Sequence, residues 1–179
     1  MRSYDAIRQQ YIPSRVEVLL VAESPPPAAN VQSSRHFYRT DHLRKDDRFF
    51  INTIRALYPI ETEGLSEVAL EENKETWLRR FQADGFYMIE ALEVSQQHEV
   101  TKKQRQERIS KHLPHLVERI RKLAQPTTRI ILIKSNVFDV AAEPLKKAGF
   151  RVLNKELVDY PGRFNQRAYR EKLAALLRV

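Results

Sequence analysis

The chain has 179 residues, of which 42% are hydrophobic and 30% charged, and these values indicate one globular domain spanning residues 1–179. Thirty-one lysines and arginines against 23 aspartates and glutamates give a net charge of +8, which favours polyanionic partners such as nucleic acid. The chain has no cysteine, so disulfides, a cysteine nucleophile and an iron–sulfur cluster held by thiolates are excluded.

The sequence gives no signal for a membrane or a metal. No apolar run approaches the roughly 18 residues of a membrane span, and residues 1–5 form no apolar signal segment, so we expect a cytoplasmic protein. The glycines are too dispersed for a phosphate-binding loop, and His112 and His115 have no evident third ligand. We therefore expect no cofactor, no metal and no membrane partner, and we expect a monomer.

Short apolar runs and helical periodicity alternate along the chain. Four runs predict buried strands: Val16–Ala22, Phe86–Leu92, Arg129–Ile133 and Phe150–Leu153. Helical patterns end near Tyr58, extend from Ile109 to Leu123 with a kink or restart expected at Pro114, and recur at Tyr169, Leu173 and Leu176. Strands that alternate with helices predict an α/β fold, a three-layer α/β/α sandwich with a central, mostly parallel sheet of about four strands.

The first strand ends in an acidic residue and three prolines, LLVAESPPP. In open α/β sheets, ligands bind beyond the carboxyl ends of the strands, so Glu23 and Ser24 stand where chemistry is usually done. A strand-ending loop with a solvated glutamate is the alternative interpretation. We predict Glu23 and Ser24 as catalytic residues.

Aromatic and basic residues are mixed in the next segment, SSRHFYRT. Phe37 and Tyr38 could stack on a base, while Arg35 and Arg39 could hold phosphates. Alternatively, Phe37 packs into the core. Two later strand ends extend the predicted site.

Glu90 lies among apolar residues in the second predicted strand, Phe86–Leu92, and would be either functional or paired with an arginine. The third strand ends in Lys134 and Ser135, where helix-start amides attract phosphate, with Asn136 a candidate helix cap. Arg163 follows a Pro-Gly turn before a helix that Asn165 could cap.

In this order, the segments resemble the uracil-DNA glycosylase superfamily over nearly the whole chain. Ala22-Glu23-Ser24-Pro25 is similar to the family's Gly-X-X-Pro motif, and GFYMIEALEV is similar to its Gly-apolar-Leu-Leu-Asn strand. DYPGRFNQ stands where the family has a DNA-intercalating loop. The sequence departs from the family at Ser24, where several branches have a catalytic Asp or Asn, and at Glu90, which replaces a base-reading Asn.

The resemblance implies a DNA-binding glycosylase that flips a base into a pocket and hydrolyses its N-glycosidic bond. Glu23 would stabilise the cationic sugar or position water, Phe37 would stack on the base, and Glu90 would read its edge. Arg35, Arg39, Lys134 and Arg163 would hold phosphates. Two alternatives remain open: a catalytically inactive nucleic-acid-binding module of the same fold, and an enzyme that processes small nucleosides.

Overall fold

The computed structural model describes residues 4–25, 36–40, 47–95 and 101–178. These residues form seven helices and four strands. In chain order they are α1 (Tyr4–Gln9), β1 (Val16–Ala22), α2 (Arg48–Leu57), α3 (Glu67–Glu72), α4 (Lys74–Ala83), β2 (Phe86–Glu90), α5 (Lys102–Leu123), β3 (Ala124–Leu132), α6 (Ser135–Lys147), β4 (Arg151–Val152) and α7 (Gln166–Leu177).

The four strands form one parallel sheet in the order β2-β1-β3-β4. β1 is central because its near-continuous aliphatic side chains need cover on both faces of the sheet, and all but Glu17 are buried. The side-chain hydroxyl of Thr128 donates to the Val16 carbonyl across a register shift between β1 and β3. The predicted α/β/α sandwich with a central parallel sheet is confirmed.

Helices cover both faces of the sheet. α5 packs against α6, and α2 packs against α7. The chain moves in one direction along the sheet from β1 to β2. It moves in the opposite direction from β2 to β3 and from β3 to β4. Since such crossovers are right-handed, α2 lies on one face, and α5 and α6 lie on the other. This arrangement creates a crevice between the carboxyl ends of β1 and β3.

The turn into β2 depends on Gly85. Its φ is +78°, and an added Cβ would lie 2.7 Å from Cγ of Glu17 and 3.1 Å from the Arg15 carbonyl oxygen. The Gly85 carbonyl accepts from the amides of Glu17 and Val18, which joins the start of β1 to the start of β2. A residue without a side chain is therefore required both by the backbone conformation and by the space.

Several element boundaries differ from the sequence prediction. β3 begins at Ala124, five residues earlier than predicted; this start is not evident in the sequence because residues 125–127 (QPT) are exposed and form no apolar run. α5 runs without interruption through Pro114. α1 and α4 were not predicted, and α3 is a short helix in the acidic, polar segment Thr62–Lys74. No helix in the described ranges is long and apolar enough to cross a bilayer.

Candidate functional site

The crevice between β1 and β3 contains a buried carboxylate, that of Glu23, which directly follows β1 and is 4% exposed. Lys134, two residues after the end of β3, forms an ion pair with the Oε2 atom of Glu23. Arg105 of α5 places Nη1 3.4 Å from Oε1, and Asn136 Nδ2 donates to Oε2 over 3.2 Å. A carboxylate that is removed from water needs such compensation, and here two cations and one amide supply it.

The backbone at Lys134 fixes the geometry of this group. Lys134 has φ 81° and ψ 142°, which makes it the one described non-glycine residue with positive φ. Such a conformation is costly for a residue with a Cβ and is concentrated at functional sites. The amide of Lys134 donates to the Val158 carbonyl, and its own carbonyl accepts from the Val137 and Phe138 amides at the start of α6.

The sequence suggested that Asn136 caps α6, but Asn136 is the second residue of that helix. Its side-chain amide is instead directed to Glu23. Its Oδ1 atom is buried and makes no hydrogen bond to any residue in the described ranges. This oxygen is therefore an acceptor that a bound molecule or water could use. Asn165 is at the N-cap position of α7, as predicted, but its side chain makes no capping hydrogen bond.

The loop after β4 presents aromatic and basic side chains beside this crevice. It follows Val158, which pairs with Ile133 at the end of β3. Phe164 is 93% exposed, with the Arg163 guanidinium 5.6 Å from its ring centroid, and Tyr160 is partly exposed against Phe49 of α2. The sequence analysis missed Phe164, although an aromatic residue beside a Pro-Gly turn and outside the apolar stripe of α7 was a usable signal.

Phe37 lies in the core, so the prediction that it stacks on a base is wrong for this structure. Its side chain is 3% exposed and its ring contacts four aromatic rings. The partners are Tyr38, Phe49, Phe50 and Phe81 at centroid distances of 5.1, 5.5, 5.9 and 5.4 Å. The alternative interpretation of core packing is the one that the structure supports, because aromatic rings bury more apolar area here than on a solvent-exposed loop.

Tyr38 is also buried and has a structural role rather than the predicted contact with substrate. Its hydroxyl accepts from the Met88 amide over 2.7 Å and donates to the Met88 carbonyl over 3.1 Å. β2 is the outer strand of the sheet, so these two groups lack a strand partner on that side. The hydroxyl therefore satisfies the edge of β2 in place of another strand.

Glu90 is buried and paired with an arginine inside the protein. The residue is 2% exposed, and Arg8 Nη1 lies 3.0 Å from its Oε2 atom. The structure thus supports the alternative interpretation, in which Glu90 is paired with an arginine. Burial raises the pKa of Glu90 to about 8, and the charge of Arg119 partly opposes this shift. Glu90 pairs with Ala22 in the sheet. Because successive side chains alternate between the two faces, Glu90 shares the face of Ala22 and not that of Glu23.

The remaining predicted site residues differ in where the structure places them. Lys134, Ser135 and Arg163 lie at the carboxyl edge and are accessible enough for phosphate contacts, which stay a prediction. Arg39 is 6% exposed, so the prediction that it holds a phosphate at the surface is wrong. Ser24 is half-buried beside Glu23, and its catalytic role stays a prediction. Arg35 lies outside the described residues.

The side chains around Glu23 at the carboxyl edge of the sheet are a carboxylate, an amide and two cations. Within the described part of the chain, no three His, Asp or Glu side chains are grouped so as to hold a metal ion. No family model, curated protein or solved structure matches the chain. The fold and the site thus define an α/β protein with a compensated carboxylate at the crevice of a parallel sheet.

Proposed function

We propose that this protein binds nucleic acid at the carboxyl edge of its sheet and releases a base by hydrolysing the N-glycosidic bond. The observation that carries this proposal is the buried Glu23 carboxylate in the crevice between β1 and β3, where α/β sheets bind ligands. Cleavage of a glycosidic bond develops positive charge on the sugar, and a desolvated carboxylate in a fixed position stabilises that charge.

The contacts of Glu23 suit a fixed carboxylate. Lys134, Arg105 and Asn136 hold its two oxygens from three directions, so little reorganisation is needed as the sugar becomes cationic. In this proposal Glu23 acts on the sugar directly or positions the attacking water. The water's oxygen forms the new bond to the sugar carbon as the glycosidic bond breaks, and the base leaves with the bonding electrons. The proton that the water loses passes to the leaving base, directly or through the Glu23 carboxylate.

The stacking and phosphate contacts are assigned to the loop after β4. Phe164 has a ring that is almost fully exposed, and base–aromatic stacking contributes roughly 1–3 kcal/mol per base. Arg163 adds positive charge at the Phe164 ring, and Lys134 adds positive charge beside Glu23. Phe164 thus takes the role that the sequence analysis gave to Phe37.

A second candidate function is a nucleic-acid-binding module of the same fold without catalysis. The ion pair of Glu23 with Lys134, together with Arg105, favours it because both cations reduce the negative charge that the reaction would use. This module would bind nucleic acid with steep salt dependence and release no base.

Base release from oligonucleotides with different deaminated and damaged bases separates the two functions. We expect Glu23→Gln to lower the release rate by at least about 100-fold while the dissociation constant for the oligonucleotide changes by less than about two-fold. Glu17→Gln, on the same strand but half-exposed and paired with Arg15, is the matched control and should retain full activity. Full base release by Glu23→Gln would disprove the role of Glu23. Binding without release by the wild-type protein on every substrate would select the inactive module.

A further inference from the structure

A groove of about 650 Å³ lies between the end of α2, the second half of α7 and the loop 59–65. Its volume is within the range of roughly 300–1,000 Å³ that small-molecule sites have. Tyr160 of the loop after β4 contacts Phe49 in the first turn of α2, whereas Arg55 in its last turn lines the groove. The groove is therefore at the other end of α2 from the loop assigned above to base stacking.

Arginines outnumber carboxylates in this groove. Arg55, Arg170 and Arg178 line it, together with Glu63 and Glu171. Glu171 is engaged by Arg167, whose Nε lies 2.7 Å from its Oε1. The carboxylate contact of Arg55 is to Glu67 at 3.9 Å, which is too long for a hydrogen bond. The positive charge of the groove is thus only partly compensated.

Neutral oxygens orient two of the arginines. Arg55 Nη2 donates to the Leu65 carbonyl over 3.0 Å, and Arg170 Nη1 donates to Asn52 Oδ1 over 2.6 Å. Asn52 is itself fixed because its Nδ2 donates to the Arg48 carbonyl over 2.8 Å. Such acceptors position a guanidinium without neutralising it. Burial and then the charge of Arg55 lower the pKa of Arg170, which is the unfavourable effect that a bound anion would relieve.

The helix ends explain only part of this arrangement. Cations are favourable at helix C-termini, which accounts for Arg55 in the last turn of α2 and for Arg178 just after α7. Arg170 is the fifth residue of α7 and gains nothing from that effect, yet it lines the same groove. The small side chains of Ala56, Ala174 and Ala175 leave the space that the arginines surround.

We infer that this groove binds a phosphomonoester of about nucleotide size. Guanidinium groups match the geometry of phosphate with paired hydrogen bonds, and two arginines held by neutral acceptors are prepared for such contacts. Pro59 and Leu65 offer apolar area to the organic part of the ligand. The site is distinct from Glu23, so a ligand bound here leaves the crevice between β1 and β3 open.

Isothermal titration of the full chain with adenosine 5′-monophosphate, inorganic phosphate and adenosine tests this inference. We expect saturable binding of the monophosphate, weaker binding of phosphate and no measurable binding of adenosine. Arg55→Gln and Arg170→Gln should each weaken monophosphate binding by about ten-fold or more. Arg121→Gln, an exposed arginine in the last turn of α5, is the charge-matched control and should bind as the wild type does.

Circular dichroism should report the same fold for all three variants. If Arg170→Gln unfolds the chain because the contact with Asn52 is lost, Arg55→Gln still tests the inference. Equal binding by Arg55→Gln and Arg121→Gln would overturn the inference. So would the absence of saturable monophosphate binding up to about 10 mM, ten-fold above the upper end of the usual KM range of roughly 1 μM–1 mM. Loss of oligonucleotide binding alone in Arg55→Gln would also overturn it, in favour of a nucleic-acid contact. Glu23→Gln should bind the monophosphate normally, so a failure of the proposed glycosylase activity does not affect this result.

Discussion

The side-chain amide of Asn136, in the first turn of α6, donates to the carboxylate of Glu23 over 3.2 Å, although 113 residues separate the two in the chain. This bond joins the end of β1 to the helix that follows β3 across the central crevice of the sheet. The site therefore depends on how β1, β3 and α6 are assembled.

The backbone at Lys134 is expected to favour glycine once the side chain is removed. Lys134→Gly should be more stable than Lys134→Ala by roughly 1 kcal/mol, because both lose the ion pair with Glu23 but only alanine keeps a Cβ at φ 81°. Urea unfolding of both variants measures the difference. At Lys147, the last residue of α6, the order should be reversed because glycine weakens a helix. The same order at both positions would contradict the prediction.

The stability of the protein should depend on the protonation of Glu90. Burial raises the pKa of Glu90 in the folded state from its ordinary value of 4.5 to about 8. Between these pH values the unfolded chain has lost the proton and the folded chain keeps it, so the free energy of unfolding falls as pH rises towards 8.

From pH 6 to pH 9 the wild-type protein should therefore lose roughly 2 kcal/mol more than Glu90→Gln, whose amide does not titrate. Urea unfolding at the two pH values measures this difference. Parallel stability profiles for the two proteins would show that Glu90 is not the titrating group.

The Tyr38 hydroxyl is expected to contribute more than an ordinary buried hydroxyl. Tyr38→Phe leaves both the amide and the carbonyl of Met88 without this partner, so it should lower the free energy of unfolding by roughly 2–4 kcal/mol. Tyr169→Phe is the comparison, since that buried hydroxyl has a single described bond, to Thr53 at 2.7 Å, and should cost about half as much. A smaller effect for Tyr38→Phe than for Tyr169→Phe would argue against the edge role.

Phe164 is expected to matter for binding and not for folding. Phe164→Ala should weaken binding of a single-stranded oligonucleotide by roughly ten-fold, because one stacking contact is lost, while the melting temperature stays the same. Fluorescence anisotropy measures the first quantity and differential scanning calorimetry the second. Ile60→Ala removes another exposed apolar side chain away from the carboxyl edge and should leave oligonucleotide affinity unchanged. Equal affinities for the two variants would remove Phe164 from the proposed site.

The sequence by itself determined the architecture and the position of the central carboxylate. Val16–Ala22 is apolar except for Glu17, as expected for a strand covered on both faces, and the structure has β1 with the same bounds. Glu23 was predicted at the ligand-binding edge because any residue that directly follows such a strand lies there. Alternation of strands and helices was sufficient for the layers because this rule is local and periodic.

Only the tertiary structure decided which side chains reach that edge. Phe37, Tyr38 and Glu90 have the residue types of a base-binding pocket, but the four rings around Phe37, the Met88 edge and Arg8 engage them inside the protein. Asn136 was taken for a helix cap because its partner, Glu23, is remote in the chain. Hydrophobic periodicity reports the face on which a residue lies, whereas the partner of a polar group depends on contacts between distant segments, which no local pattern encodes.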